Sequence, residues 1–119
     1  MHVDVRSRDG VIILKPVGDI IGSASHDLRL MVNDQLHDPS KYANVLFDFG
    51  DCSRIDSVGI GVLAGLHVSI LRKNRKIGVI NVGNNIKNIF LMARLITMFD
   101  HFNTESEAIV NLRVGEGKK

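Results

Sequence analysis

Val45-Leu46-Phe47-Asp48-Phe49 runs into Gly50-Asp51-Cys52-Ser53-Arg54-Ile55, and Asp56-Ser57-Val58-Gly59-Ile60-Gly61-Val62-Leu63 follows directly. The first five residues are a short, β-prone run of the kind found in buried central strands. Asp56 is a strong helix N-cap, because its carboxylate can accept from the unpaired N–H groups of the first turn. Ser57 then begins a helix that reaches about Arg72 or Lys73, whose charges suit the negative end of the helix dipole. A strand, a loop and a capped helix in this order are half of a β-α-β crossover, which points to an α/β fold.

Outward from this segment, the N-terminal side opens with strands. Val3 and Val5 alternate with polar residues, and Asp9-Gly10 is a two-residue turn before Val11, Ile12, Ile13 and Leu14, the sequence form of a β-hairpin. Ala24, Leu28, Met31, Val32 and Leu36 make one helical stripe, with Ser23 or Ser25 available as cap and Asp38-Pro39 as stop. On the C-terminal side, Ile77 to Val82 reads as a strand and Met98 to Phe102 as a further one. Ile86, Ile89, Phe90 and Ala93 repeat at helical spacing after Asn84 or Asn85 as cap. Thr104-Glu105-Ser106-Glu107 has the form of a capping box ahead of Ala108, Ile109 and Leu112. The expected order is β-β-α-β-α-β-α-β-α, a mixed sheet of four to five strands with about four helices.

The helix after Asp56 carries apolar residues on two sides. Ile60, Leu63, Ala64, His67, Ile70 and Leu71 make a sufficient core stripe, leaving Val58, Val62 and Leu66 nearly opposite. Gly59, Gly61 and Gly65 each cost the helix about 1 kcal/mol relative to alanine, so another requirement keeps them. That requirement is either close packing within the domain or the approach of a partner. Ser57 sits at the positive end of the helix, where added negative charge is tolerated. A phosphate there would bring a charge of about −1.5 to −2, which a docked partner would have to desolvate.

Composition narrows the alternatives. With 119 residues, 45% of them hydrophobic, the chain suits one domain with a real core. Its formal net charge of +2, the lack of tryptophan and the 5% aromatic content give no nucleic-acid footprint. Apolar runs such as Val11 to Leu14 are broken within a few residues by charges, far short of the roughly 20 residues that span a bilayer. Asp4, Arg6, Arg8 and Asp9 stand where a secretory signal would have its apolar core, and the single Cys52 allows no internal disulfide. A cytoplasmic location is therefore expected.

Rival chemistries fare poorly. Gly59-x-Gly61-x-x-x-Gly65 lies inside a helix, whereas a dinucleotide fingerprint needs its glycines in the turn after a strand. Gly83-Asn84-Asn85 reads as a capped loop. No Gly-x-Ser-x-Gly elbow accompanies Ser57, Cys52 reads as a small buried residue, and the five histidines lack metal-ligand spacing. No metal, cofactor or catalytic residue is expected.

Asp56-Ser57-x-Gly59-Ile60-x-x-Leu63, following Phe47-Asp48-Phe49, resembles the signature of STAS domains, in particular the stand-alone bacterial anti-sigma factor antagonists. Gly18-Asp19-Ile20 resembles the family's Gly-acid-aliphatic motif before its first helix, and Lys76 to Val82 with Ile86 to Phe90 is similar to its next strand and helix. The resemblance covers nearly the whole chain, with residues 1–114 as the domain and 115–119 as a flexible C-terminal tail. It implies a non-catalytic partner-switching protein that captures a serine-kinase anti-sigma factor, is released by phosphorylation at Ser57 and is restored by a serine phosphatase. It further implies that Asp56 and Asp19 shape the phosphoacceptor environment and that Val58, Gly59, Ile60, Gly61 and Val62 belong to the docking helix end. One position departs from the pattern: Ile21 stands where many antagonists carry Asp. That departure suits the alternative of a non-phosphorylated scaffold subunit of a signalling or lipid-transport complex.

Overall fold

Asp9 and Gly10 close the first hairpin in the computed structural model, which describes residues 1–37 and 43–114. Both have positive φ, 50° and 79°, as a type I′ turn demands. The turn joins β1 (His2–Arg8) to β2 (Val11–Val17) in antiparallel register, with Arg8 opposite Val11. The chain continues through α1 (Ser23–Leu36), β3 (Val45–Asp48), α2 (Ser57–Arg72), β4 (Ile77–Ile80), α3 (Asn84–Met92), β5 (Asp100–His101) and α4 (Glu105–Leu112). The sheet has five strands in the order β1-β2-β3-β4-β5, and every pairing after the first is parallel. This is the element order read from the sequence. The expected helix stop at Asp38-Pro39 and the expected tail at 115–119 lie outside the described residues.

Strand alternation splits the core between the two faces of the sheet. Ile12, Leu14, Val45, Phe47, Ile77 and Val79 meet Leu28 and Val32 of α1, Leu63 and Leu66 of α2, and Ile86 and Phe90 of α3. Val11, Ile13, Leu46 and Ile80 point to the other side and are covered by Ala108, Ile109 and Leu112 of α4. Phe49 just past β3 stacks on Phe47 at 5.8 Å and meets Phe90 edge-on at 5.7 Å, which fixes α3 beside the start of α2. On the far face, Glu105 at the start of α4 pairs with Arg6 and Arg8 of β1.

Several local expectations are corrected. Gly22, with φ 53°, precedes α1 in place of Ser23 or Ser25, and Gly83 precedes α3 in place of Asn84 or Asn85; neither end has a side-chain cap. Thr104 does cap α4, accepting from Glu107 N at 3.1 Å, but the Glu107 carboxylate accepts from Asn103 N, one residue earlier than a capping box requires. The last strand shrinks from Met98–Phe102 to two residues, because only Asp100 and His101 lie in register with β4.

The face of α2 is also corrected. Its buried residues are Gly59, Val62, Leu63, Leu66 and Ile70. At 100° per residue this stripe is turned by roughly 80° from the expected one. Leu71 is therefore exposed at 48%, while Val62 at 6% and Leu66 at 2% belong to the core. The outer face is formed by Val58, Gly61, Gly65 and Val68, all exposed. Gly59 explains the rotation: a Cβ there would lie 2.3 Å from the Ile20 carbonyl oxygen and 2.7 Å from Ile55 Cγ2. The first turn of α2 rests on the backbone before α1. A Cβ on Gly61 or Gly65 would meet nothing within 4 Å.

Candidate functional site

Two segments distant in sequence lie side by side beneath the start of α2. Ile20 and Ile55 form an isolated parallel bridge. Gly18 N donates to Asp51 O at 2.9 Å, Ile20 N to Arg54 O at 3.0 Å, and Asp56 N back to Ile20 O at 3.3 Å. The Gly18-Asp19-Ile20 motif thus acts as an extra rung that holds the loop after β3. Asp48, 6% exposed, secures the same loop from beneath by accepting from Gly50 N and Asn81 Nδ2, both at 2.9 Å.

Asp56 joins these segments to the helix. Its Oδ1 accepts from Gly59 N at 2.9 Å, the N-cap bond, and its Oδ2 accepts from Gly22 N at 3.0 Å. One carboxylate therefore ties the start of α2 to the start of α1. These two amide hydrogen bonds, Gly59 first and then Gly22, hold the Asp56 carboxyl below its ordinary range, so it stays ionised. A folded pKa below the unfolded one means that Asp56 contributes stability above its unfolded pKa. The contribution disappears as pH falls through the folded pKa. Glu105, lowered mainly by its hydrogen bonds to Arg6 and Arg8, acts in the same direction. Replacing Asp56 by asparagine, which caps nearly as well but does not titrate, is expected to flatten the acid limb of stability against pH. Denaturant titrations of both proteins between neutral and acid pH check this; identical slopes would remove Asp56 from that role.

Ser57, the first residue of α2, is exposed. Asp56 supplies the cap, so the Ser57 hydroxyl is not needed for one. Asp19, the second residue expected near it, is half-buried and occupied: its Oδ1 accepts from Arg54 N at 3.2 Å and its Oδ2 from Arg54 Nε at 3.0 Å. Its negative charge is therefore offset by the Arg54 guanidinium. Val58 and Gly61, expected to face a partner, are exposed; Gly59 and Val62, expected with them, are buried and serve packing.

The sequence reading missed an apolar groove beside Ser57. About 270 Å³ in volume, it is walled by Ile55 and Ile60 on one side and by Ile89 and Met92 of α3 with Ala93 just past its end on the other, with Asp56 and Ser57 at its rim. Met92 extends the apolar surface outward and is 85% exposed. A signal for it existed, since Met92 falls off the core stripe of α3, where water would otherwise favour a polar residue.

Among the described residues, no group of three or more His, Cys, Asp or Glu could hold a metal ion, and no helix is long and apolar enough to cross a membrane. Cys52 is 5% exposed, and burial raises its thiol pKa, which disfavours the reactive thiolate. His67 packs edge-on against Phe99 at 5.6 Å with Nδ1 buried and without a hydrogen-bond partner, so it fills the core without the bond expected of it.

The fold has parallels among known proteins. The family model described as STAS domain matches residues 2–108. An anti-sigma factor antagonist from Mycobacterium paratuberculosis superposes with a TM-score of 0.81 at 18% identity, over 95% of this chain and 94% of that one. The anti-sigma factor antagonist SpoIIAA in its unphosphorylated form gives 0.69 at 12% identity, over 92% and 96%. The murine solute carrier 26 family member A9 anion transporter gives 0.77 at 19% identity, but there the match takes up only 17% of the larger chain. These likenesses are of fold, and the same architecture serves free-standing regulators and one part of a transporter.

Proposed function

The chain belongs to the STAS domain family, and on that premise we propose that it is an anti-sigma factor antagonist. In this reading the unmodified protein captures a serine-kinase anti-sigma factor through the outer face of α2 and the groove beside it. The kinase transfers the γ-phosphoryl of ATP to Ser57 Oγ, ADP leaves, and the phosphorylated chain is released. A serine phosphatase restores capture, and no catalysis is assigned to this chain.

One observation carries the reading: an exposed serine at a helix start, free of capping duty, at the rim of an apolar groove. With this geometry, phosphorylation is expected to have a large effect on binding and a small one on folding. A phosphate of charge about −1.5 to −2 lies at the positive end of α2, where the helix tolerates it. A partner covering the groove has to strip water from that group beside the ionised Asp56, and like charges across an interface cost several kcal/mol, on the order of a hundredfold or more in affinity. SpoIIAA, of the same fold, is described in unphosphorylated and phosphorylated forms, which supports the reading.

Incubating the chain with candidate serine-kinase anti-sigma factors of its own organism and ATP, then mapping phosphate by mass spectrometry, tests the proposal. The expected product carries one phosphate, on Ser57. Ile21, 40% exposed next to the Asp56–Gly22 bond, favours a second reading, the non-phosphorylated scaffold subunit. That reading gains if no kinase modifies Ser57 and the chain instead co-purifies stably with a large complex.

A further inference from the structure

The groove is lined by the most exposed sulfur-bearing residue of the chain, Met92. Four methionines and one cysteine are present. Cys52, the more common oxidant sensor by chemistry, is sealed at 5% exposure. Met1 and Met31 are packed against the core, and Met98 is 38% exposed. Met92 is 85% exposed, yet its side chain lines the same groove as Ser57. Its thioether is thus open to small solutes in the free protein and closed to them once a partner fills the groove.

We propose that Met92 is an oxidation site that controls docking, so that its conversion to methionine sulfoxide releases the partner independently of Ser57. The inference rests on the docking reading above and deepens it: the occupant is the same serine-kinase anti-sigma factor, contributing an apolar side chain to the groove. The reaction needs a two-electron oxidant of the peroxide class. The Met92 Sδ lone pair attacks one oxygen of hydrogen peroxide, the O–O bond breaks, an S–O bond forms and water leaves. Sulfur is oxidised and peroxide reduced. The product is a polar sulfoxide in place of a soft, apolar contact, a change reversible by sulfoxide reductases. Burying that dipole against Ile60 and Ile89 leaves its oxygen without a partner. Losing one buried methionine contact is worth about tenfold or more in affinity.

The test uses the whole chain, hydrogen peroxide as oxidant and, as binding probe, the serine-kinase anti-sigma factor of the same organism that phosphorylates Ser57. Peptide mapping over time is expected to show sulfoxide at Met92 well before Met31, and slower oxidation at Met92 when the kinase is bound. Capture is expected to weaken about tenfold after oxidation of the wild-type chain. Met92→Leu, whatever its own affinity, should show no change in capture on peroxide treatment, and Met92→Gln should mimic the oxidised state. Equal oxidation rates at Met92 and Met31, or unchanged capture by a chain oxidised at Met92, overturns the inference while leaving the Ser57 switch intact. A chain that captures no kinase even before peroxide overturns both.

Discussion

Replacing Gly59 by alanine is expected to destabilise the domain by about 3 kcal/mol and lower its Tm by about 10 °C. The added Cβ would sit 2.3 Å from the Ile20 carbonyl oxygen, a backbone atom anchored by the rung to Asp56 N and unable to yield as a flexible side chain would. Alanine's better helix propensity returns only about 1 kcal/mol. Relief comes only by lifting the first turn of α2 away from the segment before α1, which stretches the two Asp56 hydrogen bonds. Gly61→Ala is the matching control. Nothing lies within 4 Å of its Cβ position, so the same substitution two residues on is expected to stabilise the free protein by about 1 kcal/mol. Thermal melts of the two variants against wild type settle the assignment. Similar shifts of the same sign would mean that Gly59 is not the packing position.

The Gly61 variant carries a second consequence. Because alanine there improves the helix without touching the domain, a loss of partner capture by a more stable protein would assign Gly61 to the docking face. Gly65, equally open, forms the next step along that face.

Ser57→Asp is expected to weaken capture of the serine-kinase anti-sigma factor by about a hundredfold or more while changing stability by less than about 0.5 kcal/mol. The two numbers belong together. An exposed side chain at the first position of α2 makes few demands on the fold, whereas a charge at the groove rim beside the ionised Asp56 must be desolvated whenever a partner docks. Ser57→Ala removes the phosphoacceptor without adding charge and should leave capture within about threefold of wild type. Pull-down titrations with parallel denaturant curves separate the effects. A large stability loss in Ser57→Asp would turn the hydroxyl into a structural residue, and equal capture by both variants would favour the scaffold alternative.

Much of this site was legible because its instructions are local. Asp56 as N-cap, Ser57 as first helical residue, Arg72 near the end of α2, the Asp9-Gly10 turn and Thr104 as cap all follow from side chains acting on backbone within a few residues. The facing of α2 was not legible, because aliphatic residues occupy two stripes of the helix and periodicity alone cannot choose between them. The choice is made by Gly59 meeting the Ile20 carbonyl, a contact between residues far apart in sequence. That contact moved Val62 into the core and brought Gly65 and Val68 to the surface. The second acceptor role of Asp56, toward Gly22 N, was hidden for the same reason. The groove needed two segments distant in sequence to meet, residues 55–60 and 89–93, and only the off-stripe Met92 left a trace of it in the sequence. The missing caps of α1 and α3 show a local rule overridden. Serines and asparagines stood ready there, but glycines at the preceding positions took over the turn.

Titrating the proposed anti-sigma kinase partner calorimetrically with the unmodified chain and with the chain phosphorylated on Ser57 tests the switch most directly. The expected result is saturable binding by the unmodified protein, none resolved for the phosphorylated one, and superimposable circular dichroism spectra for both. Equal affinity of the two forms, or a phosphorylated form that has lost its fold, would contradict it.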